Sequence, residues 1–333
     1  MEAVMNTFCD PAVSLAGREL YYAIWQKVQE RFFDQERLLT LNWAAQKHRF
    51  DEQIVDDESA ISCANVMLAV LGEKYTRLLA PQEVVAKREG RVSETLYAYN
   101  KVMPGNIGYI GIASFDHSDI IEQVRERLEG VAHCDAFVVD VRGNGGGLLN
   151  ETANVCELFI DEGDICYLES RKEVGVAERF IHFSHEYFEV YCEETGKEPE
   201  KDLCQRRPAM IAGKPMVVLI DGDTASSAEL FSAALLENGR ADGRIIAIGT
   251  KSGGKGIGQA DFDILGKVTL KISFIRFFSP TNQWFGDAAQ TVNNGIEPDI
   301  FFADNDDPAL AVEAAARHLS ALLNSKTLAN AAV

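Results

Sequence analysis

Val217 to Gln259 reads V-V-L-I-D-G-D-T-A-S-S-A-E-L-F-S-A-A-L-L-E-N-G-R-A-D-G-R-I-I-A-I-G-T-K-S-G-G-K-G-I-G-Q. The run Val217 to Ile220 has the length and composition of a buried strand. A polar turn, Asp221 to Ala225, separates it from an amphipathic stretch. There Leu230, Phe231, Ala234 and Leu235 recur at helical spacing, and Gly239 closes the run. Ser226 therefore falls at a strand-to-helix junction, where its hydroxyl can project into a crevice at a strand end. A second short strand, Ile245 to Ile248, leads into a glycine-rich loop that carries Lys255. A serine at a helix start and a lysine in a tight loop are the two parts of a Ser–Lys nucleophilic centre. Ser226-x-x-Glu229 is equally a capping box, a purely structural reading.

An element upstream decides between the two. Val138 to Leu148 reads V-V-D-V-R-G-N-G-G-G-L, again a buried strand running into a glycine turn. Gly145, Gly146 and Gly147 have no Cβ, so backbone N–H groups can approach a ligand and form an oxyanion hole.

With these three elements in order, the chain resembles the C-terminal processing, or tail-specific, serine proteases. The family's D-x-R-x-N-x-G-G turn is matched by Asp140, Arg142, Asn144, Gly146 and Gly147. Its S-A-S-A-S-E turn is matched loosely by T-A-S-S-A-E, which places the nucleophile at Ser226 rather than Ser227. Its G-K-G-x-x-Q loop is matched by Gly254, Lys255, Gly256 and Gln259, and its G-I-x-P-D by Gly295, Ile296, Pro298 and Asp299. The resemblance implies an α/β, crotonase-like spiral protease core and a serine endopeptidase working through an acyl-enzyme. It also implies Lys255 as general base, Gln259 orienting the lysine, and the N–H groups of Gly146 and Ser227 as oxyanion donors. Glu237 stands where relatives carry an acidic residue near the dyad. Lys251 is the rival base, disfavoured by its context. The implied partner is a peptide or protein substrate, and no metal or organic cofactor is implied. Two other classes fit the scaffold: a non-catalytic ligand- or peptide-binding protein, and an acyl transferase or crotonase-like enzyme acting on a thioester.

The chain has 333 residues, 51 of them acidic and 32 basic, for a net charge of −19. That charge argues against nucleic-acid binding, whose footprint is basic. The N-terminal sequence lacks the basic and apolar regions of a secretory signal, and no stretch is long enough to span a membrane. The seven cysteines, an odd set without C-x-x-C spacing, read as buried reduced thiols. Together these lead to an expectation of cytoplasmic location, with oligomeric state open.

Residues 1–90 read as an N-terminal helical domain. An Asp10-Pro11 start is followed by a stripe of Leu15, Leu20, Ile24, Val28 and Phe32, and a third helical run from about Asp56 stops at Gly72. Residues 91–333 read as the protease core, with strands and helices alternating from Gly105. In the family a PDZ domain follows the segment that here ends at Pro81. Only about 25 residues separate Pro81 from the strand at Ile107, too few for a domain, so the PDZ domain is expected to be absent. An insert at about 171–213 carries Phe180, Phe183, Tyr187 and Tyr191 at helical spacing and predicts a helix and a solvated loop, a possible cap on the active site. His182-x-x-His185 lies within it, without the companion ligands zinc requires. Ser325 to Val333 read as a frayed end.

Overall fold

The computed structural model describes residues 11–88, 96–172, 175–288, 291–303 and 307–331. In chain order the elements begin with α1 (Pro11–Arg31), α2 (Gln35–Thr40), α3 (Trp43–Gln46), α4 (Asp57–Ala69), β1 (Arg77–Leu78) and α5 (Pro81–Arg88). They continue with β2 (Ala98–Met103), β3 (Ile107–Ile112), α6 (Ile120–Val131), β4 (Ala136–Asp140), α7 (Leu149–Cys156), β5 (Gly163–Arg171), β6 (Val176–Phe183), β7 (Tyr187–Glu194) and β8 (Glu200–Gln205). The last are β9 (Met216–Ile220), α8 (Ser227–Gly239), β10 (Ile245–Gly249), β11 (Ile257–Ile264), β12 (Val268–Phe278), β13 (Ile300–Phe301) and α9 (Pro308–Ala331).

Two compact units share the chain. The first comprises residues 1–93, 170–177 and 258–275, and the second the remainder. In the first unit α1 packs on α4, through Leu20, Ile24 and Val28 on one side and Ala60, Ala64 and Met67 on the other, all fully buried. Asp56 starts α4. Its Oδ1 accepts from the Ser59 N–H at 2.8 Å while Ser59 Oγ accepts from the Asp56 N–H at 3.0 Å, which satisfies two of the helix's orphan donors. Gly72 ends the run with φ +62°, a conformation only glycine adopts without strain. The unit takes in β11 and most of β12, because β1 and β11 both pair with β12. The helical N-terminal region is thus completed by strands from a distant part of the chain, pairings that hydrophobic periodicity does not reveal.

The second unit is built on a six-stranded sheet of order β13-β10-β9-β4-β3-β2. Every pairing is parallel except β2 with β3. The near-continuous apolar sequences of β4 (A-F-V-V-D) and β9 (M-V-V-L-I) follow from burial on both faces. One face, through Val138, Val217, Leu219 and Ile248, meets Ala311, Val312, Ala315 and Leu319 of α9. On the other face α7 packs on α8, and Phe231 of α8 meets the rings of Phe115 and Phe159. The parallel order aligns the carboxyl ends of β4, β9 and β10, so the turns after them gather at one edge, where ligands bind in open α/β sheets.

The 171–213 insert is not a helix. It forms β6, β7 and β8, with β7 and β8 paired antiparallel from Tyr187↔Gln205 to Cys192↔Glu200. In β6, Ala177, Ile181 and Phe183 are buried while Glu178 is exposed and Phe180 and His182 are half-buried, a period of two rather than 3.6. The helical spacing of Phe180, Phe183, Tyr187 and Tyr191 spans a hairpin, with Phe180 and Phe183 on opposite faces of one strand. Cys192 and Cys204 came with these strands and are half-buried and exposed, against the expectation of buried thiols. Cys63, Cys134, Cys156 and Cys166 are buried, and Cys9 lies outside the described residues. At the C-terminus α9 continues to Ala331, through most of the segment expected to fray. No helix among the described residues is long and apolar enough to cross a membrane.

Candidate active site

Ser226 stands between β9 and α8 with φ 62° and ψ −128°, a region glycine favours and other residues enter only under strain. It is half-buried, whereas Ser227 is buried. A strained serine at a strand-to-helix turn presents its hydroxyl at the sheet edge.

The turn is held from below by groups that the sequence motifs supply. Asp221 Oδ1 accepts from the N–H groups of Gly143 and Thr224, and the Thr224 hydroxyl donates to the carbonyl of Val141. Fully buried Asn144 donates to the Ile112 carbonyl and accepts at Oδ1 from the Gly146 N–H, both at 2.9 Å, while its own carbonyl accepts from Ala225 N–H. Asp140 and Arg142 form a bidentate pair at 2.7 and 2.9 Å, which Tyr109 joins through its hydroxyl. Burial and the neighbouring Asp140 carboxylate push the Tyr109 phenol up from its usual range. Asp140, Arg142 and Asn144 are therefore scaffolding for the glycine turn, not reacting groups.

That network moves one assignment. The Gly146 N–H is already donated to Asn144, so it is not available to an oxyanion. Among the described residues the N–H groups of Gly145, Gly147 and Ser227 make no hydrogen bond. Gly146 is required for a different reason: at φ +98°, a Cβ there would lie 2.7 Å from Ser226 Cβ and 2.8 Å from the Ala225 carbonyl oxygen.

Glu229 joins the serine turn to the lysine loop. Its fully buried carboxylate accepts from the N–H of Ser226 (2.9 Å) and of Lys255 (2.8 Å) at Oε2. At Oε1 it accepts from the Gly254 N–H (2.7 Å) and the Ser252 hydroxyl (2.6 Å). Burial raises the carboxyl above its usual range, against the opposing pull of those four hydrogen bonds. A second tie runs from the Gly253 N–H to the Thr224 carbonyl at 2.9 Å. The late G-I-x-P-D motif braces the same loop. The Ile296 N–H donates to Ser252 Oγ at 2.7 Å, and Asp299 accepts from Ala247 N–H on β10 at 2.8 Å. The Ser226-x-x-Glu229 spacing predicts Glu229 as a capping residue. Its first role is that, and its reach to Ser252, Gly254 and Lys255 was invisible because those residues are 23 to 26 positions away.

The remaining expected residues fall as follows. Lys251 is ion-paired with Glu297 at 2.8 Å on the surface. Glu237 accepts from the Thr281 N–H at 2.7 Å and lines, with Lys251 and Trp284, a cleft of about 590 Å³. Gln259 lies on β11 in the first unit, where its carboxamide donates to Ser273 Oγ at 3.1 Å. Ser273 in turn donates to buried Glu73 at 2.6 Å. His182 is bound to Asp164 and His185 to Asp161 and Glu162. Among the described residues no three His, Cys, Asp or Glu side chains gather into a metal site.

A parallel sheet with a strained serine at one strand end and a lysine loop at the next defines an α/β protein of the crotonase-like spiral type. The chain belongs to Peptidase family S41, which matches residues 106–302; that span holds the glycine turn, Ser226, Lys255 and Gly295–Asp299. It is 27% identical over 220 residues to the carboxy-terminal processing protease CtpA of Bacillus subtilis, covering 64% of this chain and 38% of that one. It is 24% identical over 212 residues to the chloroplastic carboxyl-terminal-processing peptidase 1 of Arabidopsis thaliana, covering 61% and 35%. The chain thus spans well under half the length of these curated relatives. Among solved structures, the photosystem II D1 C-terminal processing protease superposes with a TM-score of 0.65 at 15% identity, over 92% of this chain and 97% of that one. A lipoprotein from Streptococcus agalactiae superposes with a TM-score of 0.62 at 13% identity, over 92% and 96%.

Proposed function

We propose that this protein is a serine peptidase that hydrolyses peptide bonds through an acyl-enzyme. The observation that carries the reading is the Glu229 carboxylate, which fixes the backbone of Ser226 and of Lys255 on one oxygen. In the proposed reaction Ser226 Oγ attacks the scissile carbonyl carbon while the neutral amine of Lys255 takes the hydroxyl proton. Charge builds on the carbonyl oxygen and is met by the Ser227 N–H and an unbonded N–H of the glycine turn. The Lys255 ammonium then gives its proton to the departing amine. Water, deprotonated by the same amine, releases the acyl group from Ser226. Gln259 is assigned to lysine orientation on the G-K-G-x-x-Q motif alone.

A second part of the proposal is that this peptidase lacks a PDZ domain between Pro81 and Ile107, where the described residues form α5 and β2. Substrate recruitment then falls to the core itself and to the strands of the 171–213 insert. The reaction class is tested by incubating the protein with a peptide library and reading cleavage by mass spectrometry, alongside labelling by a serine-directed phosphonate. Cleavage and labelling that both vanish in folded Ser226→Ala support the proposal; either one persisting unchanged sinks it.

A further inference from the structure

The strands of the insert carry a groove that the reaction chemistry does not use. It has a volume of about 570 Å³ and lies in the second unit, on β5, β6 and β7, the last residue of β12 and the segment after it. Its floor is aromatic. Phe180 is stacked between Tyr167, with ring centroids 4.4 Å apart, and Tyr191, at 5.9 Å. The rings come from three neighbouring strands and share one face of the sheet, as period-two alternation requires.

The walls are acidic. Glu169, Glu178 and Glu193 line the groove, against a single cation, Arg179. Arg276 neutralises Glu169 at 2.9 Å. Among the described residues Glu178 and Glu193 have no ion pair, so they outnumber Arg179 at the rim. Electron-rich ring faces flanked by free carboxylates make a site for an ammonium or guanidinium group. The chain shows the mode of binding at the groove's own edge: the Lys201 ammonium lies 4.8 Å from the Tyr191 ring centroid and pairs with Glu189 at 3.1 Å. The net charge of −19 draws cationic partners toward such a surface at longer range.

The groove is also tied to the proposed catalytic loop. Phe278, one of its lining residues, follows Phe277, whose N–H donates at 3.0 Å to the carbonyl of Gly256, the neighbour of Lys255. We propose that the groove receives a lysine or arginine side chain of the peptide substrate, so that this protein selects basic segments. The inference rests on the peptidase reading for the word substrate, but not for the binding itself.

The test uses the whole 333-residue chain carrying Ser226→Ala, in which binding is read without turnover. A short fluorescein-labelled peptide carrying lysines is compared, by fluorescence anisotropy at low salt, with the same peptide bearing glutamine at those positions. The lysine peptide should bind about tenfold more tightly, and adding Glu178→Gln and Glu193→Gln should erase most of that difference. Both glutamates are on the rim, so their loss leaves the core packing intact. Equal affinity for the two peptides, no binding of either, or a lysine preference unaffected by the glutamate substitutions would each overturn the proposal. Failure of the peptidase reading appears separately, as absence of cleavage by the native chain.

Discussion

The backbone N–H groups of Ser226 and Lys255 converge on one atom, Oε2 of Glu229, at 2.9 and 2.8 Å. Ser226 and Lys255, the proposed nucleophile and base, are 29 residues apart in sequence, on turns that follow different strands. A single buried carboxylate fixes both main chains, so neither turn can shift without breaking a charge-assisted hydrogen bond. Such bonds are about twice as strong as neutral ones.

Glu229→Gln should therefore cost activity without touching the reacting groups. The carboxamide has one acceptor oxygen and one NH₂ group, and all four partners of Glu229 are donors. One pair of donors must then face an NH₂, at a cost of about 1–3 kcal/mol. The expected result is a stability loss of that order in urea denaturation, with kcat falling far more than KM rises. A variant with native kcat would show that the two turns hold their places unaided.

The strain at Ser226 gives a second expectation. With φ 62° and ψ −128°, the residue occupies a conformation costing about 1–3 kcal/mol for any side chain. Ser226→Gly should raise stability by about 1 kcal/mol, after allowance for the greater freedom of glycine in the unfolded chain, while abolishing turnover. Ser226→Ala should be equally inactive without that gain. Chemical denaturation of the two variants separates strain from chemistry; a glycine variant less stable than the alanine variant would remove the argument from strain.

The glycine turn makes three neighbouring residues unequal. A methyl group at Gly145 meets nothing within 4 Å, whereas at Gly146 it would meet Ser226 and at Gly147 the Phe115 backbone at 2.1 Å. Gly145→Ala should stay within about 0.5 kcal/mol of the native protein and keep its activity. Gly146→Ala and Gly147→Ala should each lose activity and at least about 2 kcal/mol. Thermal denaturation together with phosphonate labelling checks all three, and a fully active Gly146→Ala would contradict the described turn.

Much of this centre was legible because its parts are local. Strand, polar turn and amphipathic helix fall within 24 residues around Ser226, and each signals itself by period or by glycine. What stayed hidden was long-range or two-faced. The Gly146 N–H looked free until Asn144, two residues away, folded its side chain back onto it. The strands β6 and β7 have aromatic residues at both periods, so a window without pairing partners could not choose between helix and hairpin. The assignment of β11 and β12 to the helical N-terminal unit depends on a pairing with β1 across nearly 200 residues, for which no local pattern exists.

If no PDZ domain lies between Pro81 and Ile107, as proposed, cleavage should depend little on a free substrate C-terminus. A cleavable peptide and its C-terminally amidated form should differ by less than about threefold in kcat/KM, about 0.7 kcal/mol, less than a dedicated carboxylate site would contribute. A large loss on amidation would mean that some other surface of this chain reads the carboxylate.

The final expectation concerns the base. Lys255 lies between Gly254 and Gly256, and both glycines are packed too closely for a side chain: a Cβ at Gly254 would lie 2.1 Å from Asn293 Oδ1, and one at Gly256 2.8 Å from the Trp284 ring. The loop backbone is therefore fixed around Lys255, the proposed base. If its amine accepts the Ser226 proton, it must first be neutral, so acylation should rise with pH along one ionisation of the free enzyme. Arginine keeps the charge and cannot lose it, so Lys255→Arg should be inactive at every pH. Lys255→His, shorter by several bonds, should be nearly inactive as well. Lys251 is the control. Its ammonium is held by Glu297 at the surface, an exposed pair worth about 0–1 kcal/mol, and Lys251→Ala should retain most of the activity. The measurement is single-turnover acylation by an activated ester across the pH range for the three variants. Native-rate acylation by Lys255→Arg, or loss of acylation in Lys251→Ala, would transfer the role of base away from Lys255.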